Sequence, residues 1–563
     1  MSAINPKEFL EELIFCLKEE DIVKANALLQ FITNPSINVN IQKRALHELS
    51  KAHERLVFPI LEYLTTLEIP NQEIRESLYE LILDKAYGNH DRIIKYIVKD
   101  DKRNRITYIK VAGDLMLPDV APILEKLMER SKDRDILIHS AAALGKIRLP
   151  GSLPALIKLL ESFQDKTIGQ TAIDAIAEIG TKAGVEYLTN SITGSHETDH
   201  LKIKALGKIQ DQYALKSLAS LLESTNTDVR DAAIDQLIEI GGKAVPILTS
   251  ATEDAGTDFM VHLITTLGYI QDPKALPVII DIMKTRPSDP NVRQAAYESM
   301  ERIPSSKSAI LLAVGIQDPV EAVRMSAARA MDKNISKVLV AGLKNVVREG
   351  GEESLNAVGA LIDSESDNIF NFLLQEESFI RLAVKHVTTK ADPKTRDKFL
   401  NTLKKKNHGA LAEKIVSMVP KRSETEKSAE DTEVKIYVVD DSKMMLKLYE
   451  NKLTGFGYSA TPFMLPEEAI RQIYASKPDL LITDLNMPKI NGLQLAQTVR
   501  KKYSSTDLPI VMITTQSDAV DSENNPGMDK SRLSQAGINK VLHKPFSNED
   551  LHNTIKKMLG KKQ

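Results

Sequence analysis

The stretch KIYVVDDSKMMLKLYE (435–450) decides the fold of the C-terminal part of the chain. Ile436, Tyr437, Val438 and Val439 form a short β-type apolar run, and Asp440 and Asp441 follow it at once. Adjacent carboxylates at the end of a strand repel each other and need a cation or a shared proton to be tolerable.

The surrounding sequence supplies a frame for that pair. Apolar runs at 434–439, 479–483, 508–514 and 540–543, with a shorter one at 458–463, alternate with helical stretches at 442–454, 466–476, 492–503 and 548–559. Strands alternating with helices predict a doubly wound parallel sheet, in which functional sites lie outside the carboxyl ends of the strands. In the strand order 2-1-3-4-5, strands 1 and 3 are neighbours at the topological switch point. Asp440 and Asp441 then converge with Asp484, which ends strand 3 in LITDLNMP. Three carboxylates in one crevice call for a hard divalent cation with oxygen ligands, of which Mg²⁺ is the cellular default. Thr514 at the end of strand 4 offers a hydroxyl, and Lys544 follows strand 5 ahead of Pro545. Three acids, a cation, a hydroxyl and a lysine suit a phosphoryl group, with carboxylate attack on phosphorus giving an aspartyl phosphate.

The motifs VVDDS, ITDLNMPKINGL, PIVMIT and HKPF together resemble the receiver domain of two-component response regulators over the whole of 434–563. The resemblance implies that Asp484 is the phosphoacceptor. It further implies that Mg²⁺ is held by Asp441, Asp484 and the backbone carbonyl of Asn486, with Asp440 acting through water. Lys544 would pair with the phosphoryl oxygens, Thr514 would donate a hydrogen bond to one, and Pro488 and Gly492 would shape the loop after the acceptor. The sequence departs from the family at Val541, where Tyr or Phe usually stands, and at Thr515, which is bulkier than the usual Ala or Gly. The stretch 516–537 is several residues longer than a typical crossover, and SENNPG within it has the composition of a surface turn.

Upstream the texture is different. Before the charged, apolar-free stretch KRSETEKSAEDTE (421–433), which has the composition of a flexible linker, the chain is one helical pattern after another. AAALGKI, DAIAEIG, KALGKI, QLIEIG, TTLGYI and SMERI place Ile147, Ile179, Ile209, Ile240, Ile270 and Ile303 at spacings of 32, 30, 31, 30 and 33. Arg75, Arg230, Arg293 and Arg324 mark a second recurrent position. A unit of that length holds two short helices and two turns, and stacking neighbours supplies the core that one helix pair cannot build. The Asp-Pro pairs at 272–273, 289–290 and 318–319 sit between apolar segments, where Pro in a first helical turn is favourable, and Asp228 is a candidate N-cap. The recurrent arginines are expected to form a ladder to neighbouring acidic residues.

This array resembles the HEAT-repeat family, clearly over 75–360 and more loosely over 1–74 and 360–420, which implies protein binding and names no catalytic residues. The expected architecture is therefore multidomain: an all-α HEAT-like solenoid over 1–420, a linker over 421–433 and an α/β receiver over 434–563.

Composition narrows the function further. No run of 18 uncharged apolar residues exists, so no membrane span is expected, and the N-terminal stretch is broken by Glu11, Glu12 and Lys18. The single cysteine, Cys16, excludes an intramolecular disulfide framework, fits a reducing compartment and is expected on a buried helix face. Residues 434–563 carry net +4 and residues 1–433 net −7, a poor balance for following a nucleic-acid backbone. HETDH (196–200) matches a zinc-protease pattern, but the repeat register starts a helix near 198 and leaves His196 in the preceding turn; the same count puts Asp199 at the position of Arg230. The expectation is a cytoplasmic response regulator that takes a phosphoryl group from a histidine kinase or phosphotransfer protein and alters contacts with a protein partner of the solenoid. The rival readings are a constitutive scaffold with a docking-only receiver, and a phosphate sink or relay intermediate. No separate enzyme activity is expected beyond the receiver's own phosphorylation and dephosphorylation.

Overall fold

The structure is a computed structural model that describes residues 6–418, 434–515 and 530–560, apart from Ser36, Asp100, 195–197, Arg286, Asp392, Asn486, Pro488, Lys489, Pro545 and Ser547. The expected linker, the SENNPG segment, His196, Glu197, Asn486, Pro488 and Pro545 thus lie outside the described residues. By compactness the chain falls into two units, residues 1–214 and 215–563.

In the first unit the helices α1 (Lys102–Asp114), α2 (Arg134–Ile147), α3 (Lys166–Ile179) and α4 (Asp199–Ile209) stack in succession. Their starts are set by short polar side chains: Asp101, Asp133 and Asp165 each accept hydrogen bonds from two backbone N–H groups of the first turn. Their spacing is set by glycine. A Cβ on Gly113 would stand 2.9 Å from the Ala143 Cα, and one on Gly145 would stand 2.8 Å from the Ala175 Cα. The glycine of the recurrent Leu-Gly pair is thus a point of close helix approach. Cys16 is buried in helix Pro6–Lys18, as expected, and burial pushes its thiol pKa up.

The second unit continues the pattern with α5 (Thr227–Ile240), α6 (Thr257–Ile270), α7 (Pro290–Arg302) and α8 (Glu321–Lys333). Pro290 opens α7 behind the N-cap Asp289, as its sequence predicts. The N-cap of α5 is Asn226 and not Asp228: the Asn226 side chain accepts from the N–H groups of Asp228 and Val229, so Asp228 sits inside the first turn.

The expected arginine-to-acid ladder is only partly present. What recurs is a bond to backbone carbonyls of the turn just before the helix. Arg75 donates to Ile69 O (2.7 Å) and Pro70 O (3.0 Å). Arg230 donates to Ser224 O at 3.0 Å, and Arg324 to Asp318 O at 2.6 Å. Arg293 does the same with Ser288 O and in addition forms a two-point pair with Asp318 at 2.7 and 3.0 Å. The fourth residue past an N-cap points back over the entering turn, where carbonyls without helical partners await a donor. In α4 that role falls to Lys202, whose Nζ donates to Ser191 O at 2.7 Å. Asp199 therefore does not occupy the arginine position. The helix has 11 residues where α5 has 14, so counting back from its end overshoots. The start of α4 at Asp199 agrees with the repeat register, and His200 is exposed on its first turn.

The α/β part of the second unit has strands β1 (Lys435–Val439), β2 (Ser459–Phe463), β3 (Leu480–Asp484), β4 (Ile510–Thr515) and β5 (Lys540–Lys544), all parallel, in the order β2-β1-β3-β4-β5. Helices α9 (Lys443–Gly455), α10 (Pro466–Ala475), α11 (Gly492–Arg500), α12 (Lys530–Gln535) and α13 (Asn548–Leu559) alternate with them. Residues 436–439 of β1 and all of β3 are buried on both faces, as a parallel sheet covered by helices requires. Tyr437 and Val439 pack with Ala469, Ile473, Leu495 and Val499 into one of its cores.

Candidate functional site

Successive residues of a strand point to opposite faces, so a group that must stand free of both helical layers has to sit at the strand's end. Asp440 follows β1 directly, Asp484 is the last residue of β3, and Lys544 is the last of β5. The Lys544 Nζ donates to Asp484 Oδ1 at 2.7 Å and to Asp440 Oδ2 at 3.2 Å. The other Asp440 oxygen accepts the Ser442 backbone N–H at 2.8 Å. Thr514 is buried near the end of β4, one residue before the Thr515 that pairs with Lys544 in register. Asp441 lies beside Asp440 in the turn before α9. The structure therefore brings Asp440, Asp441, Asp484, Thr514 and Lys544 to one end of the sheet; Asn486 lies outside the described residues.

Local sequence explains the loop after Asp484. The Gly492 N–H donates to Leu485 O at 2.9 Å, and a Cβ on Gly492 would strike the Asp484 carbonyl oxygen. Asn491 caps α11 by accepting from Gln494 N, and the Gln494 side chain accepts the Asn491 N–H in return.

The electrostatics follow from burial. Desolvation, and then the charges of Asp484 and Asp441, hold the Asp440 pKa well above the usual carboxylate range against the pull of Lys544. Asp441 is pushed up to about 6, first by burial and then by Asp484. Burial pulls Lys544 down, but Asp440 and Asp484 outweigh it and leave its pKa well above the usual lysine value. The all-oxygen donor set and its excess negative charge fit a hard divalent cation. Among the described residues, no three His, Cys, Asp or Glu side chains stand together in metal-ligating geometry.

Comparison with known proteins gives this arrangement a family. The model of the response regulator receiver domain matches residues 436–556, and that of HEAT repeats matches 128–199, 194–260 and 251–332. The chemotaxis protein CheY homolog of Campylobacter jejuni is 31% identical over 131 residues, which is 23% of this chain and 93% of that protein. The chain belongs to the response regulator receiver family. The chemotaxis protein CheY1 of Helicobacter pylori is 33% identical over 129 residues, 23% of this chain and 98% of that protein. The probable transcriptional regulator ycf27 of Guillardia theta is 30% identical over 129 residues, and the match spans only 46% of that regulator's length. Among solved structures, the chemotaxis response regulator CheY4 of Vibrio cholerae is 29% identical and covers 23% of this chain and all of that one, with a TM-score of 0.20.

The receiver's site has neighbours that sequence reasoning missed, all from the repeat helices of the same unit. The Tyr269 hydroxyl on α6 donates to Asp441 Oδ2. The Arg302 guanidinium lies 4.2 Å from the Tyr269 ring centroid. The Ser442 hydroxyl donates to Glu298 Oε1 at 3.0 Å, and the Asn491 amide donates to Asp228 at 2.8 Å and Asp231 at 3.3 Å. Lys452 on α9 faces Glu321 at 3.6 Å. One signal was available. The residue before the repeat isoleucine is charged in Lys146, Glu178, Lys208, Glu239 and Arg302, and Tyr269 alone breaks that column.

Val541, at the position where the family usually carries an aromatic residue, packs against the small cluster of Leu485, Leu493, Met512 and Ala536. No described helix is long and apolar enough to cross a membrane.

Asp231 gives this contact a pH dependence. Burial raises its pKa from 3.8 to about 7, helped by Asp228 and Asp235 and opposed by Arg230 and the Asn491 hydrogen bond. The folded state then holds the proton more tightly than the unfolded chain, so stability falls as pH rises from about 4 to about 7. Asp231→Asn is expected to match the parent below pH 4 and to exceed it at pH 8 by about 1 kcal/mol, allowing for solvent screening at a half-buried position. Urea melts at the two pH values measure the difference, and equal stability at pH 8 would contradict the shift.

Proposed function

We propose that this chain is a response regulator of a two-component system, in which Asp484 accepts a phosphoryl group from the phosphohistidine of a histidine kinase or phosphotransfer protein, and the phosphorylated chain changes its contacts with a protein partner. The observation that carries this reading is the convergence of Asp440, Asp484 and Lys544 at the carboxyl ends of β1, β3 and β5, with Lys544 bonded to both carboxylates. In the step itself an Asp484 carboxylate oxygen attacks phosphorus, the P–N bond of the donor breaks, and the imidazole departs with its electron pair. Lys544 leaves its carboxylate partners to pair with the phosphoryl oxygens, and the Thr514 hydroxyl donates to one of them. Mg²⁺ would be held by Asp441, Asp484 and the Asn486 carbonyl, with Asp440 through water, and when bound would neutralise charge on the transferring group. The repeat array over 1–420 is the segment we assign to partner binding, and the cytoplasm is the compartment that suits the donor.

A thermal shift of the full chain in Mg²⁺, with and without beryllium fluoride, tests the reading. The wild-type protein is expected to melt higher with beryllofluoride and Asp484→Ala is not. A wild-type chain that neither shifts nor gains mass with acetyl phosphate would refute a working phosphoryl site.

A further inference from the structure

The receiver's phosphorylation face is covered by the second half of the repeat array. The cavity above Asp484 measures about 140 Å³, with Tyr269, Glu298 and Arg302 on one wall and Asp441, Asp484 and Lys544 on the other. The folded domain that carries a donor histidine is far larger than this space, and the packed repeat helices stand where that domain would have to approach to bring its imidazole in line with Asp484. The contacts that hold the two faces together use the site's own groups. Tyr269, braced by the Arg302 guanidinium, takes one oxygen of Asp441, and Glu298 takes the hydroxyl of Ser442, which is also the N-cap of α9. Asp228, Asp231, Glu298 and Glu321 line the repeat side of the contact. Arg302 offsets one of these charges by standing 4.0 Å from Glu298, and the net acidic surface that remains accepts donors from the unphosphorylated face and would repel a phosphoryl group added to Asp484.

We propose that the groove formed by α5, α6, α7 and α8 is a binding site for the unphosphorylated face of this chain's own receiver, and that Tyr269 is the positioning residue which latches it by holding Asp441. The inference rests on the phosphoacceptor reading given above and adds its regulation. Docking and cation binding compete for Asp441, so each weakens the other by the same factor. Release of the receiver precedes phosphotransfer from a protein donor, and the phosphoryl group then prevents redocking. The surface that release uncovers on the repeats is the acidic groove itself, which sets the chemistry of any second occupant: amide and cationic side chains, as on the receiver.

The test is Mg²⁺ titration by calorimetry on the full chain, comparing wild type, Tyr269→Phe and Glu321→Lys, with solution scattering before and after Mg²⁺ and beryllofluoride. Tyr269→Phe keeps the ring stacked on Arg302 and removes only the hydrogen bond to a charged partner, so Mg²⁺ affinity should rise about tenfold. Glu321→Lys sets like charges against Lys452 far from the cation ligands, and should raise the affinity at least about twofold by loosening the dock. The radius of gyration of the wild type should grow with beryllofluoride. Equal Mg²⁺ affinity in all three proteins overturns the latch and leaves the phosphoacceptor reading standing. A gain in Tyr269→Phe alone overturns docking as the cause, since only the local hydrogen bond would then matter. Mg²⁺ and beryllofluoride binding by none of the three overturns both readings together.

Discussion

Lys544→Met is expected to cost the receiver about 3 kcal/mol of folding stability in metal-free buffer at pH 8. Lys544 stands between two carboxylates that are nearly withdrawn from water: the Asp440 side chain is 2% exposed and that of Asp484 9%. Replacing the lysine with a side chain of similar length keeps the packing and removes the charge, so Asp440 and Asp484 face each other and Asp441 without compensation. The loss should depend on pH in a defined direction. Asp440 already holds its proton above the usual carboxylate range, because burial and its acidic neighbours disfavour the ionised form. A raised folded-state pKa means that stability declines as pH rises from the unfolded value through the folded one. The variant should therefore lie closest to wild type in acid, where Asp440 is protonated, and farthest from it above neutrality. Mg²⁺ should restore part of the loss at pH 8, since a ligand that binds only the folded state stabilises it. Urea melts at pH 5 and pH 8, with and without Mg²⁺, measure all three effects. A variant as stable as wild type at pH 8 without cation would show that Lys544 is not the neutralising group.

Gly145→Val should weaken the first unit by about 2–3 kcal/mol. A Cβ at position 145 would lie 2.8 Å from the Ala175 Cα, 3.0 Å from the Ala175 Cβ and 3.1 Å from Glu178 Oε2. Backbone cannot yield as the tip of a flexible side chain can, so α2 and α3 must separate, and the buried contacts around Leu144 and Ile176 separate with them. The better helix propensity of valine over glycine offsets only about 0.5 kcal/mol of this. Gly151→Ala is the control, because nothing lies within 4 Å of a Cβ there. Each repeat contacts chiefly its neighbours, so the damage should stay local. Hydrogen exchange should quicken across 134–179, while the beryllofluoride shift of the receiver is retained. An unchanged melt for Gly145→Val would mean that the helices have slack that the close approach denies.

The order β2-β1-β3-β4-β5 and the meeting of Asp440 and Asp484 were legible in the sequence, because strand and helix periods are local and a parallel doubly wound sheet leaves few topologies open. The same holds for the repeats, whose period carries both the helix pair and the close-approach glycine. Registry within a repeat was less legible. The shortened α4 shifted the basic position from the counted Asp199 to Lys202, and α5 is capped by Asn226, because helix length is fixed by where orphaned N–H groups and carbonyls find partners. The covering of the site of Asp440, Asp441, Asp484 and Lys544 by the repeat helices was decided by tertiary structure alone. Tyr269 and Asp441 are 172 residues apart, and neither lies in a pattern that names the other. Such a contact depends on shape and charge presented jointly by α5, α6, α7 and α8, and those surfaces exist only after the repeats have stacked.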